Sequence, residues 1–291
     1  MIVALIGPTA SGKSKMAVGL AKKIDGEIIN GDAFQVYRDF RIATARPSEE
    51  EMNGVPHHLF GFLPSSVNYD THQYQKDARR AIAEVISRGK TPIVVGGSGL
   101  YIRSALYDYD LALDTTGVDM SPYLNMGDME LHSELEKLDP FEAKKIPYQN
   151  RRRVLRSIEI CLAAGESKTS LLSKQNHSPI YETAFYRLSP DRKDLFRNIE
   201  QRTEKMFSEG IEKEVLPKIS DVTEIKGAYQ AIGVKEFFAY RDKKATLDET
   251  KEAIILDTKH YVKRQETFFR HQFDAKIVID VREIIDDLEN R

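Results

Sequence analysis

Short apolar runs alternate along this chain with longer stretches whose apolar residues recur every three to four positions. Runs at 2–6, 27–29, 92–95, 183–188 and 276–281 predict β-strands, while 16–23, 74–87, 195–207 and 247–271 read as helices. Strands alternating with helices predict an α/β fold, a parallel sheet covered by helices on both faces. Function is then expected at the carboxyl ends of the strands. The middle of the chain departs from this rhythm. After a stretch without periodicity at 107–127, Leu131, Leu135, Leu138, Ile146, Val154, Leu155, Ile158 and Leu162 follow at helical spacing, closed by Gly165 and a polar tract up to Ser178-Pro179. The expected organisation is a core of 1–110, a small all-helical insertion of 111–180 and a second core part of 181–291. No internal repeat is visible.

Composition changes this picture little. The 291 residues are 41% hydrophobic and 30% charged, ordinary for a globular chain with a sizeable core. No apolar stretch approaches the ~20 residues of a membrane span. A strand beginning at residue 2 leaves no room for a leader, so a cytoplasmic protein that needs no membrane is expected. The single cysteine, Cys161, excludes an intramolecular disulfide and a Cys-based zinc site, and its apolar helical neighbours make it core filler. Net charge is −2, which argues against nonspecific nucleic-acid binding by the chain as a whole. The charge is nevertheless uneven. Lys144, Lys145, Arg151, Arg152, Arg153 and Arg156 crowd one segment, and Lys259, Lys263, Arg264 and Arg270 another. Such patches can track a phosphate backbone although the total is acidic; two solvated helix faces would look the same.

The sharpest chemical signal is Gly7-Pro8-Thr9-Ala10-Ser11-Gly12-Lys13-Ser14, the spacing G-x-x-x-x-G-K-[ST] of a P-loop between a strand and a helix. Its glycines let backbone wrap a phosphate, the helix start aims free N–H groups at it, Lys13 adds charge, and the Ser14 hydroxyl is expected to bind Mg²⁺. Asp32 follows the second strand, where a carboxylate can hold Mg²⁺ through water, accept a proton from a bound nucleophile, or simply cap a helix. Adjacent His57 and His58 cannot face the same way on a strand, so local packing is expected of them. In Val95-Gly96-Gly97-Ser98-Gly99-Leu100-Tyr101 the small residues admit a close approach of backbone or ligand, and Ser98 can donate to phosphate. On a helix over 261–270, Lys263, Thr267 and Arg270 share a face suited to RNA phosphates.

Taken in order, these segments resemble the tRNA dimethylallyltransferases (tRNA isopentenyltransferases) of bacterial type. The stretches that carry the resemblance are GPTASGKS, EIINGDAFQVY, IATARP, GVPHHL, VVGGSGLYI, NRRRVLRSIEI, IEQRTEKMFSEGIEKEV, QAIGVKE and YVKRQETFFR. They are colinear and cover nearly the whole chain. The resemblance implies a P-loop, NTPase-like core and transfer of a dimethylallyl group from dimethylallyl diphosphate to N6 of the adenosine 3′-adjacent to the tRNA anticodon, with Mg²⁺. It makes Asp32 the catalytic carboxylate, aided by Thr9 and Lys13. The diphosphate falls to Gly7, Pro8, Thr9, Ala10, Ser11, Gly12, Lys13, Ser14, Ser98 and Arg202. Gln35, Thr44, Arg46, Gly97 and Tyr101 line the acceptor side; Arg151, Arg152, Arg153 and Arg156 grip the anticodon stem-loop; Lys263, Arg264 and Gln265 lie near RNA or the channel. A monomer is expected. The sequence departs from the family pattern at Asn30-Gly31-Asp32-Ala33, at Ala43, at Val234 and at Phe268, which replaces a tryptophan. Transfer to free AMP, ADP or ATP, a small-molecule kinase and a non-catalytic RNA binder are the competing readings.

Overall fold

The computed structural model describes residues 1–111, 113, 115 and 117–291, and the chain divides into two compact units, 1–106 with 179–291 and 107–178. The expected insertion of 111–180 overlaps the second unit, and Ala112, Asp114 and Thr116 of its entry lie outside the described residues.

In the first unit the order is β1 (Ile2–Ile6), α1 (Lys13–Lys23), β2 (Gly26–Asn30), α2 (Glu49–Met52), β3 (His57–His58), α3 (Thr71–Ser87), β4 (Thr91–Gly96) and α4 (Gly99–Leu106). The second unit contains α5 (Ser121–Leu124), α6 (Asp128–Leu138), α7 (Pro140–Lys145), α8 (Arg151–Ala164) and α9 (Lys168–Ser173). The first unit then resumes with β5 (Thr183–Leu188), α10 (Arg192–Ser208), α11 (Ile211–Ile219), α12 (Phe237–Arg241), α13 (Leu247–Gln272), β6 (Lys276–Val278) and α14 (Val281–Glu289).

The six strands form one parallel sheet in the order β3-β2-β4-β1-β5-β6. Every residue of β1 and β2 is buried, as the near-continuous apolar runs require of strands covered on both faces. On one face Val3, Leu5, Ile28, Ile93, Val95, Tyr186 and Leu188 pack with Leu20 and Ala21 of α1 and Ile284 of α14. Register puts Ile6 beside Gly96 and Arg187, so β1, β4 and β5 end at a common level. Chain ends of this kind are set by local chemistry. Asp70 with Gln73, and Thr246 with Glu249, form reciprocal capping boxes that start α3 and α13.

Two expectations shift. The strand expected over 276–281 stops at Val278, because Asp280 accepts the Arg282 and Glu283 N–H groups and starts α14. The two-residue β3 is too short to leave a periodic signal; His58 Nε2 meets Glu27 Oε2 at 2.6 Å and His57 Nδ1 meets Val55 O at 2.8 Å, the local packing expected of the pair. No helix among the described residues is long and apolar enough to cross a membrane.

The helical unit has its own core of Leu131, Leu135, Ala143, Ile146, Val154 and Ile158. Cys161 is buried, whereas Leu162, which shares the apolar spacing, is exposed. Asp139 is fully buried and accepts hydrogen bonds from Glu142 N, Thr169 N and Thr169 Oγ1, while Lys168 Nζ pairs with Glu142 at 2.6 Å. Buried charge is thereby fully partnered, the condition for its being tolerated.

Candidate active site

The loop after β1 turns into α1 through Gly12, whose φ of +85° lies in the left-handed region. Unlike α3 and α13, α1 begins with no side-chain cap, and its first turn holds no acidic residue. Its orphan N–H groups and positive dipole end therefore remain for an anion. Lys13 reaches back to Pro8 O at 3.2 Å. Burial pushes its ammonium down to about 8, with Asp32 opposing the shift and Arg202 adding to it. Burial likewise lowers Arg202, again against the pull of Asp32. Lys13, Arg202 and Asp32 thus share one electrostatic neighbourhood, two cations facing one carboxylate. Arg202 Nη1 donates to Thr9 Oγ1 at 2.6 Å.

Asp32 is held by Asn30, a fully buried residue whose Oδ1 accepts from Asp32 N at 2.9 Å and whose Nδ2 donates to Asp32 O and Leu59 O at 3.0 Å. Asp32 Oδ1 accepts from Phe34 N at 2.9 Å. This is an Asx turn, not a helix cap: no helix starts here. Among the described residues no other donor bonds to this carboxylate, so Oδ2 is left for a ligand. Ser98 Oγ accepts from Ala33 N at 3.0 Å, which binds the turn after β4 to the Asp32 loop. On this side burial, then the charge of Asp32, pushes the Tyr261 phenol up to about 12.

The structure brings together Thr9, Lys13, Asp32, Ser98 and Arg202, with Ser14 exposed in the first turn of α1. Other expected site residues are committed elsewhere. Gln35 Nε2 donates to Thr44 O and Ala45 O, Thr44 Oγ1 donates to Phe40 O, and Arg46 donates to Tyr37 O. These three shape the loop after β2. Tyr101 stacks on Tyr74 with centroids 4.5 Å apart and donates to Tyr69 O. Glycine at 97 and 99 serves helix packing: an added Cβ would lie 2.3 Å from Gln265 Nε2 at Gly97 and 2.3 Å from the Phe268 ring at Gly99. Gln265, expected near RNA or the channel, is internal, whereas Lys263 and Arg264 are exposed and with Thr267, Phe268 and His271 line a groove of about 480 Å³. The P-loop also differs from a full amide cradle, because the Thr9 N–H is given to Gln265.

Asn30, Tyr261 and Glu214 are absent from the expected set. Glu214 of α11 accepts the Ile42 and Ala43 N–H groups with its two oxygens, at 2.8 and 2.9 Å. A single Tyr four residues before Gln265 on a helix is the one signal that could have pointed to Tyr261; Glu214 had none.

In the helical unit, Arg151 is not a free cation. It donates to the Met126, Tyr123 and Leu124 carbonyls and to Asp128, closing the end of α5. Arg156 pairs with Glu159 and Thr115. Arg152 and Arg153 are exposed on α8. Alanine at both 152 and 153 is expected to weaken binding of an anticodon stem-loop and to flatten the slope of log K against log salt by roughly 1–2. Alanine at 151 is expected to lower Tm and to leave that slope unchanged.

The family model described as IPP transferase matches residues 35–272. The chain belongs to the IPP transferase family. Among its relatives, a tRNA dimethylallyltransferase of Anoxybacillus flavithermus is 40% identical over 277 residues, covering 94% of this chain and 89% of the relative. One of Bacillus pumilus is 37% identical over 279 residues, covering 94% and 88%. A solved eukaryotic dimethylallyltransferase acting on tRNA superposes with a TM-score of 0.85 at 27% identity, covering 100% of this chain and 80% of that one. The parallel sheet with its helices is the IPP transferase core.

The Gly233-Val234-Lys235-Glu236 segment supports the loop after β2. Gly233 packs on Ala43, and Val234 is fully buried. Glu236 accepts the Gly233 N–H at 2.8 Å, and Lys235 lies between Asp257 and Glu236. Burial pushes Glu236 up to about 7 from an ordinary 4.5. The folded chain keeps this proton to higher pH than the unfolded chain, so stability falls as pH rises from 4.5 to about 7. Glu236→Gln is therefore expected to raise Tm at pH ~8 by roughly 2–4 °C and to lose that gain toward pH ~5; scanning calorimetry at both pH values checks it.

Proposed function

We propose that this chain transfers a dimethylallyl group from dimethylallyl diphosphate to N6 of the adenosine 3′ to the anticodon in tRNA. The observation that carries the reading is an uncapped helix start flanked by Lys13 and Arg202, with the Asp32 carboxylate facing both. The diphosphate sits at the start of α1, where Lys13 and Arg202 compensate the negative charge that grows as it leaves. N6 attacks the allylic carbon, the carbon–oxygen bond breaks with its electrons going to the diphosphate, and Asp32 Oδ2 takes the N6 proton. An exocyclic amine is a poor nucleophile, so orientation and proton removal supply much of the rate. Reaching that amine requires the base to leave its stack.

No group of three or more His, Cys, Asp or Glu able to hold a metal exists among the described residues. Mg²⁺ keeps several waters and binds chiefly through substrate phosphates; Ser14 Oγ, exposed in the first turn of α1, is the residue that would hold it. Bound there, it neutralises leaving-group charge. Arg152, Arg153, Lys263 and Arg264 supply the cations for tRNA phosphates. The protein acts as a monomer in the cytoplasm.

The test is incubation with Mg²⁺, labelled dimethylallyl diphosphate and, separately, an anticodon stem-loop or AMP. Label on the stem-loop is expected. Label on AMP alone overturns the tRNA reading, and phosphate transfer from labelled ATP to a small molecule would make the chain a kinase.

A further inference from the structure

One buried amide joins the two sides of the site. Gln265 Oε1 accepts the Thr9 N–H at 2.9 Å, and its Nε2 donates to Gly97 O at 2.8 Å. The residue is 4% exposed, so neither end is available to substrate. The two loops it joins have different tasks. Thr9 belongs to the phosphate loop and receives Arg202 on its hydroxyl. Gly97 precedes Ser98, whose Oγ takes the N–H of Ala33, the residue after Asp32. A path of hydrogen bonds and peptide links therefore runs from the phosphate loop through Gln265, Gly97 and Ser98 to Ala33, next to Asp32. Thr9 is specifically affected. Its N–H is turned away from the cradle, and its hydroxyl, which accepts from Arg202, keeps its own proton to donate. Gly97 leaves no slack, since a Cβ there would lie 2.3 Å from the Gln265 amide nitrogen.

Resting on the function proposed above, we infer that Gln265 is a positioning residue for the transfer step. Its amide sets the separation between the Thr9 hydroxyl on the leaving-group side and the Asp32 carboxylate on the nucleophile side. Displacements of about 1 Å in such pairs cost on the order of 10² in rate.

Two variants test this. Gln265→Met keeps the volume and lacks both hydrogen bonds. Gln265→Glu reproduces the amide when protonated, its carbonyl accepting from Thr9 and its O–H donating to Gly97 O, and repels Gly97 O when ionised. For Q265M, kcat is expected to fall on the order of 10²-fold while KM for dimethylallyl diphosphate and Kd for inorganic diphosphate stay within about threefold. For Q265E, kcat relative to wild type is expected to rise about tenfold as pH falls from ~8 to ~6, at a Tm measured in parallel. A Q265M enzyme within about twofold of wild type in kcat, or a Q265E ratio independent of pH, overturns the positioning role. A wild-type protein that transfers no prenyl group overturns the functional reading and this inference with it; an active wild type with an equally active Q265M overturns this inference alone.

Discussion

Asp32→Asn is expected to cut turnover by on the order of 10²–10⁴ while Kd for inorganic diphosphate stays within about threefold of wild type. The asparagine preserves the turn, because its Oδ1 can still accept the Phe34 N–H that Asp32 Oδ1 takes at 2.9 Å. What it loses is Oδ2 as a proton acceptor. It also removes the negative charge that opposes the burial shifts of Lys13 and Arg202. Losing a like charge favours diphosphate while the further-lowered Lys13 ammonium opposes it, so Kd for inorganic diphosphate is measured beside turnover to tell donor binding from chemistry. Single-turnover kinetics with bound donor separates the steps. Turnover within about threefold of wild type would mean that Asp32 serves only to form its Asx turn, and the proton acceptor would have to be sought elsewhere.

Lys13→Met is expected to lower kcat by on the order of 10²–10³, the cost of removing one preorganised group from developing charge. The wild-type pH dependence makes the assignment sharper. Burial brings the Lys13 ammonium of the free enzyme down to about 8. Above that pH the free site is increasingly neutral, and diphosphate must restore the proton as it binds. Affinity for inorganic diphosphate is therefore expected to weaken as pH rises through about 8, with proton uptake measurable by calorimetry in buffers of different ionisation enthalpy. Arginine does not deprotonate in this range, so Lys13→Arg should abolish the inflection. An inflection that persists in that variant would assign it to the ligand or another group.

Much of the fold was legible because the local signals were strong. Fully buried parallel strands read as unbroken apolar runs, and β1, β2, β4 and β5 were expected within one residue of their ends. β3 was invisible, because a two-residue edge strand has no period to detect. The site was legible in part. Residues 7–14 announce a phosphate loop through spacing alone, and Asp32 through its place at the end of a strand. The basic segments are legible only in outline: of the arginines in 151–156, charge pattern cannot tell Arg151, spent on backbone carbonyls, from Arg153, which is exposed. Partners from distant segments decide that, and a linear sequence does not display them.

The sequence by itself determined the parallel α/β core, the phosphate cradle and the family to which the chain belongs, because these rest on periodicity and on short motifs whose geometry is local. Only the tertiary structure decided what Gln265, Arg202 and the glycines after β4 do. Thr9 and Gln265 lie 256 positions apart, and Thr9 and Arg202 lie 193 apart. Hydrogen bonds act over about 3 Å, so whether such residues meet depends on how α10 and α13 pack against the ends of the strands, and nothing in the spacing of either segment records it.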